Sequence, residues 1–135
     1  MQTHYAVAIV TLLSLLAYLW TGFGVGAARA KTKINAPAMT GDPILERAVR
    51  IQMNTLEWLP VYLAALWMFA LYWNDRIAAV MGLVWIAGRI VYALAYAADP
   101  GKRSLGFMIQ SLATAVLLFG ALGRIVWAVV TTGGI

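Results

Sequence analysis

The chain of 135 residues has no cysteine, a single histidine and only five acidic residues, and charged residues make up 11% of it. The absence of cysteine excludes a disulfide scaffold, a cysteine nucleophile and a cysteine-ligated metal site. Soluble domains contain roughly 25% charged residues, so a globule of this size would lack the polar groups needed to cover its surface. Hydrophobic residues reach 63%, which also excludes intrinsic disorder. The composition therefore predicts a protein that lies in a lipid bilayer.

Four apolar stretches account for most of the chain, at about 5–28, 44–73, 77–98 and 104–131. Each is long enough to cross a hydrocarbon core of roughly 30 Å as a helix, and none shows the period-two alternation of a barrel strand. We expect residues 1–135 to form one domain, an all-α integral membrane four-helix bundle with up-down topology. The first stretch lacks a positively charged leader, so we expect an uncleaved helix rather than a signal peptide.

Basic residues cluster beside the first and third connections between these stretches. They are Arg29, Lys31, Lys33, Arg47, Lys102 and Arg103. The positive-inside rule then predicts that both connections are cytoplasmic and that both termini lie outside. The net charge of +5 is explained by this topology. No basic stripe with interleaved aromatic residues is present, so we expect no nucleic-acid partner.

Ionisable side chains inside a membrane are costly and therefore mark candidate sites. In the second stretch Arg50, Asn54 and Glu57 follow the i, i+4, i+7 spacing of one helix face. In the third stretch Tyr92 and Tyr96 share a face. The up-down topology brings these five residues to the same end of the bundle, which predicts a polar pocket.

The fourth stretch begins at Arg103, at the same end of the bundle. Arginine forks bind carboxylates and Glu57 can bind an ammonium group, so the pocket suits a small anionic ligand that also has an amine. A thiol near Arg103 and the helix N-terminus would have a lowered pKa, because both favour the thiolate.

Simpler interpretations stay open for each of these residues. Arg50 and Glu57 could be a polar clamp between helices, the tyrosines an interfacial aromatic belt, and Arg103 only a topology signal. Counting along the third stretch places Arg89 near mid-bilayer, so we expect a structural buried charge. Its ion-pair partner would lie on another helix or in another subunit, and Glu57 is one candidate. The lone His4 predicts no metal site.

Two segments together resemble a known family. They are Glu46-Arg47-x-x-Arg50-x-Gln52-x-Asn54-x-x-Glu57 and Arg89-x-x-Tyr92-x-x-x-Tyr96, the second followed by Arg103. The pattern resembles the membrane-associated proteins in eicosanoid and glutathione metabolism (MAPEG), and the resemblance covers nearly the whole chain. The short loops look most like bacterial members, which implies a multi-pass protein of the bacterial inner membrane.

The resemblance implies a homotrimer that binds glutathione between adjacent subunits and takes a lipophilic electrophile or lipid hydroperoxide from the membrane lipid. It implies that one subunit holds glutathione through a set of five residues: Arg50, Asn54, Glu57, Tyr92 and Tyr96. Gln52 and Arg29 would contribute from the neighbouring subunit, and Arg103 would stabilise the thiolate. Glutathione would be the co-substrate, with no metal.

The expected function is that of a membrane glutathione transferase in detoxification, with glutathione-dependent peroxidase as a second activity. Trp58 and Ala30 replace a tyrosine and an arginine of the leukotriene-forming members, which argues against leukotriene synthesis. The alternative within the same fold is a non-catalytic protein that binds or presents lipid. A small multidrug exporter is disfavoured, because the first stretch has no acidic residue.

Overall fold

The computed structural model describes residues 3–133, and they form an all-helical structure without a strand. The four long helices are α1 Tyr5–Thr32, α2 Pro43–Tyr72, α3 Asp75–Ala98 and α4 Ser104–Thr132, with a single 3-10 turn at Pro100–Lys102. All four are long and apolar enough to cross a membrane. The prediction of an all-α protein is therefore confirmed. Helix α1 continues four residues past the apolar stretch, so Arg29 belongs to the helix rather than to the loop.

Short polar side chains cap the N-termini of two helices, α2 and α3. The carboxylate of Asp42 accepts a hydrogen bond from the Ile44 backbone N–H, and Pro43 occupies the first turn of α2. The amide oxygen of Asn74 accepts bonds from the backbone N–H groups of Arg76 and Ile77. These caps satisfy N–H groups that have no partner within the helix. Because only two residues separate α2 from α3, the two helices must run antiparallel.

Helices α2 and α3 form the centre of the bundle, and α1 and α4 pack on either side of this pair. The main core lies between all four helices, where the Tyr62 ring stacks on Trp85 with centroids 3.9 Å apart. The Tyr62 hydroxyl lies 2.9 Å from the Ser14 hydroxyl, so the buried phenol has a polar partner.

Many large apolar side chains lie on the outer surface of the bundle. Phe23 is 76% exposed and Val130 75% exposed, and large apolar side chains are exposed along all four helices. In water such a surface would be an aggregation hazard. In a bilayer it is the surface that contacts lipid, as the low charge content predicts.

Helices α3 and α4 approach each other at two glycines. A Cβ atom added to Gly88 would lie 2.7 Å from the backbone nitrogen of Gln110, and one added to Gly106 would overlap the backbone of Tyr92. Small residues at helix crossings let backbones pack closely in membranes. Gly106 thus sets the distance between the start of α4 and the part of α3 that contains Tyr92.

We predict that Gly106→Ala lowers the free energy of unfolding by about 1–3 kcal/mol, because the methyl group must push α4 away from Tyr92. Gly123→Ala is the matched control in α4, since a Cβ there meets nothing within 4 Å. It should leave stability unchanged or raise it slightly. Equal unfolding free energies in bicelles for the two variants would contradict the close-packing argument.

Candidate functional site

A polar cleft opens between α2, α3 and α4 at the end of the bundle where α3 ends and α4 begins. Its lining consists of Arg50, Asn54, Tyr92, Arg103, Ser104, Phe107 and Met108. Four of these, Arg50, Asn54, Tyr92 and Arg103, are predicted site residues, and they come from α2, α3 and the residue immediately before α4. The structure therefore brings these four together at one end of the bundle, whereas Glu57 and Tyr96 do not line the cleft.

Glu57 does not line the cleft, but it pairs with Arg50, which does. An Arg50 Nη1 to Glu57 Oε1 distance of 3.4 Å joins the two, and both side chains are about half exposed, at 51% and 53%. Both residues belong to α2, so the pair does not clamp one helix to another. An ion pair this exposed contributes about 0–1 kcal/mol to stability. Charged groups of a ligand can therefore replace the contact between Arg50 and Glu57 at little cost.

Arg89 lies beneath the cleft and is 2% exposed. Its Nη1 donates to Asn54 Oδ1 at 2.9 Å and its Nη2 donates to Thr55 Oγ1 at 2.7 Å. The Thr55 hydroxyl donates in turn to the Ile51 carbonyl oxygen, which leaves its lone pairs for Arg89. Glu57, one candidate partner, pairs with Arg50 instead, and within residues 3–133 the partners of this buried cation are a neutral amide and a neutral hydroxyl.

The Arg89 guanidinium also lies over the Tyr92 ring, 4.3 Å from its centroid. Tyr92 is 2% exposed, so it does not belong to an interfacial aromatic belt. The Tyr96 ring stacks on Tyr92 with centroids 5.6 Å apart, and Tyr96 does not line the cleft. One buried arginine thus contacts two cleft residues, Asn54 and Tyr92, on different helices.

Arg103 is the residue immediately before α4, and its side chain lines the cleft. Its guanidinium makes no hydrogen bond to any part of residues 3–133, so its donors are available to a ligand. Ser104, the first residue of α4, lines the same cleft. A helix N-terminus presents unpaired N–H groups and a partial positive charge. The two features together make this wall of the cleft favourable for an anion.

Gln52 and Arg29 lie away from the cleft. Gln52 is two residues from both Arg50 and Asn54, which places it on the opposite face of α2, and its Nε2 is 3.3 Å from a Cβ built on Gly22 of α1. Arg29 Nη1 donates to the Ala38 carbonyl oxygen at 2.6 Å, in the loop after α1. A single subunit therefore does not bring these two residues to the other site residues.

Several cleft residues were missed from the sequence. Ser104, Phe107 and Met108 line the cleft beside Arg103, and Phe107 packs edge-on against Trp58 with centroids 5.6 Å apart. The i, i+4 spacing of Arg103 and Phe107 could have indicated the second residue. The role of Thr55 as a partner of Arg89 could not be predicted from the sequence, because a single threonine in an apolar helix usually bonds only to its own backbone.

Residues 3–133 contain no group of three or more His, Cys, Asp or Glu side chains that could hold a metal ion.

Comparison with known proteins decides the family. The sequence pattern of the MAPEG family matches residues 7–123. The chain belongs to the MAPEG family. With its four apolar helices, it is a multi-pass membrane protein, and the family resemblance of the sequence is confirmed.

Relatives of this MAPEG chain include a bacterial protein and two named animal enzymes. It is 45% identical over 120 residues to an uncharacterised protein of Synechocystis sp., covering 89% of this chain and 88% of that one. It is 40% identical over 117 residues to microsomal glutathione S-transferase 2 of Homo sapiens, covering 86% and 80% of the two chains. It is 35% identical over 96 residues to leukotriene C4 synthase of Bos taurus, covering 71% and 64%.

We predict strong coupling between Arg89 and Asn54 in a double-mutant cycle. Asn54→Leu leaves the buried cation with Thr55 as its remaining hydrogen-bond partner and should lower the free energy of unfolding. In an Arg89→Leu background the same change should cost about 1.5–3 kcal/mol less, because the charge that needs the bond is gone. Unfolding in bicelles measures all four proteins. Effects that add to within about 0.5 kcal/mol would contradict the coupling.

Proposed function

We propose that this MAPEG protein is a membrane glutathione transferase that conjugates the glutathione thiolate to lipophilic electrophiles, with a glutathione-dependent peroxidase side activity, and that it serves detoxification. The observation that carries the proposal is the cleft itself. It brings two guanidinium groups, from Arg50 and Arg103, together with the Asn54 amide and the Tyr92 phenol. The relatives named as glutathione S-transferase and leukotriene C4 synthase support the same chemistry.

The charges of the cleft match those of glutathione, a tripeptide with two carboxylates, one ammonium group and one thiol. Arg50 would bind a carboxylate through its fork, and Glu57, now paired with Arg50 at 3.4 Å, would bind the ammonium. Because Asn54 Oδ1 already accepts from Arg89, its Nδ2 is left to donate to glutathione. The phenols of Tyr92 and Tyr96 would add hydrogen bonds.

Arg89 acts in this proposal as a positioning residue. It fixes which end of the Asn54 amide faces the cleft, and its guanidinium holds the Tyr92 ring by a contact of 4.3 Å. Both cleft residues are then preorganised before glutathione arrives, which lowers the entropic cost of binding.

Arg103 and the N-terminus of α4 would stabilise the thiolate. A nearby cation and a helix N-terminus both lower a thiol pKa, and each unit of pKa changes the thiolate population at fixed pH about tenfold. In conjugation, the thiolate sulfur bonds to the electrophilic carbon. In a substitution the leaving group departs with the electron pair of the broken bond, and in a ring opening the ring oxygen keeps that pair and takes a proton from water. Holding both reactants at the membrane surface supplies proximity.

In the peroxidase reaction the thiolate attacks a hydroperoxide oxygen. The O–O bond breaks, the alcohol takes up a proton, and the sulfur becomes a sulfenic acid. A second glutathione displaces water from this sulfenic acid and forms the disulfide. This reaction uses the same activated thiolate as conjugation, so both activities would depend on Arg103.

We further propose that the active protein is a homotrimer in the bacterial inner membrane, with its first and third loops in the cytoplasm. Arg29 and Gln52 lie on the far side of α2 from the cleft of their own subunit. A ring of subunits joins one face of each copy to a different face of the next. Such a ring can bring Arg29 and Gln52 of one copy to the cleft of its neighbour.

We predict that Arg103→Ala lowers the conjugation rate at neutral pH by about tenfold or more, with a smaller loss of glutathione affinity. Since the glutathione thiol would regain its ordinary pKa, the rate of the variant should rise with pH toward about 8.5 and approach the wild-type rate there. Arg103→Lys, which keeps the charge, should shift the profile less. A parallel fall in rate and affinity at every pH would show that Arg103 only binds glutathione.

Mixed trimers test the shared site. Doubly tagged trimers that combine Arg29→Ala and Arg103→Ala subunits should recover roughly one third of wild-type activity, because one interface in three has both arginines. Mixing Arg50→Ala with Arg103→Ala is the matched control, since both residues line the cleft of one subunit, and it should recover nothing. Equal activity in the two mixtures would contradict the shared site.

A further inference from the structure

A second cavity opens between α1 and α3, with residues of α2 also lining it, and shares no residue with the polar cleft. Small residues form its floor, among them Gly24, Ala27, Ala48, Ala93 and Ala97. The side chains of α1 and α3 are too short here to fill the space between the helices. A Cβ atom added to Gly24 meets nothing within 4 Å, so the space is open.

A separate apolar cavity lies next to this space, nearer the N-terminus of α1. It is lined by Leu13, Leu16, Ile86 and Ile90 among others, and Trp20 lines both cavities. We call the first cavity, which runs from Trp20 to Lys31, the α1/α3 groove. Trp20 and Lys31, both lining residues, are 11 positions apart on α1. Eleven helical residues span roughly 16 Å, about the thickness of one leaflet of a bilayer whose hydrocarbon core is about 30 Å.

Two cationic side chains, Lys31 and Arg47, line the polar end of the groove. Lys31 makes no hydrogen bond or ion pair within residues 3–133, and Arg47 bonds through Nη1 alone, to the Ala97 and Ala98 carbonyl oxygens at 3.3 and 3.4 Å. The Arg47 Nη2 and Nε donors are thus available to an anion. No acidic residue lines either cavity.

The α1/α3 groove and the proposed glutathione site use different sides of α1. Gly24 and Lys31 share one face of the helix, whereas Gly22, which faces Gln52, is about half a turn away from Gly24. The partner-facing residues Arg29 and Gln52 therefore do not cover the groove.

From an apolar groove one leaflet long that ends at two unpaired cations, we propose a binding site for an anionic phospholipid of the surrounding bilayer. One acyl chain lies between α1 and α3 with its end near Trp20, and the phosphodiester accepts hydrogen bonds from Lys31 and Arg47. Basic pockets between membrane helices bind anionic head groups in this way. The bound chain replaces the side-chain atoms that the small residues lack and seals the bundle against the bilayer.

The experiment uses Trp20 as a reporter in the full-length protein, reconstituted in nanodiscs without glutathione. Phosphatidylglycerol and phosphatidylcholine, each brominated in the distal half of one acyl chain, are compared as quenchers of tryptophan fluorescence. The difference between wild type and Trp20→Phe isolates the Trp20 signal. Brominated phosphatidylglycerol should quench Trp20 at a concentration about fivefold or more below that of the phosphatidylcholine, because a single basic residue changes the affinity for an anionic lipid about fivefold.

Two variants separate the groove from general attraction to anionic lipid. Gly24→Leu fills the groove and should abolish the preference for phosphatidylglycerol, while Gly123→Leu, also in open space on α4, should keep it. Lys31→Gln, an exposed substitution that does not disturb packing, should reduce the preference about fivefold. Equal quenching by the two lipids in wild type, or a preference that survives Gly24→Leu, would overturn the proposal. Displacement of phosphatidylglycerol by an equal concentration of a free fatty acid would overturn the assignment to a phospholipid.

Discussion

The rest of the site depends on the hydrogen bonds that the buried guanidinium of Arg89 donates. A cation in an apolar bundle costs several kcal/mol when its donors lack partners. Here Nη1 bonds to the Asn54 amide and Nη2 to the Thr55 hydroxyl, while the buried Nε has no hydrogen-bond partner within residues 3–133. These bonds fix α2 against α3 at one register. They also fix the Asn54 amide and, through the cation–π contact, the Tyr92 ring.

Close packing of α3 and α4 supplies the second half of the site. Gly88 and Gly106 let the two backbones meet next to Tyr92, and α4 begins at that level with Arg103 at its N-terminus. The buried hydrogen bonds thus position one wall of the cleft, and the glycine contacts position the other. The exposed charges of Arg50 and Glu57 lie at the opening, where a ligand can replace their mutual contact at low cost.

Much of this arrangement could be predicted from the sequence because it depends on simple periodicities. Hydropathy predicts four helices, and i, i+4 spacing with antiparallel topology brings Arg50, Asn54, Tyr92 and Arg103 together. The partners of Arg89 could not be predicted, because a search for a buried charge looks for an opposite charge and overlooks neutral acceptors such as Asn54. The α1/α3 groove could not be predicted either. It results from side-chain volume that is missing at Gly24 and Ala93, and only the positions of the helices show that nothing else fills it.

The central claim is that the cleft binds glutathione as its thiolate, and the ultraviolet absorbance of the thiolate tests it most directly. Detergent-purified protein is titrated across pH with glutathione, and the difference spectrum is compared with that of free glutathione. We expect a thiolate signal that saturates with the protein and appears well below the pH at which the free thiol ionises. Glutathione that binds without this signal, or that does not bind at all, would contradict the claim and favour a lipid-binding protein on the same fold.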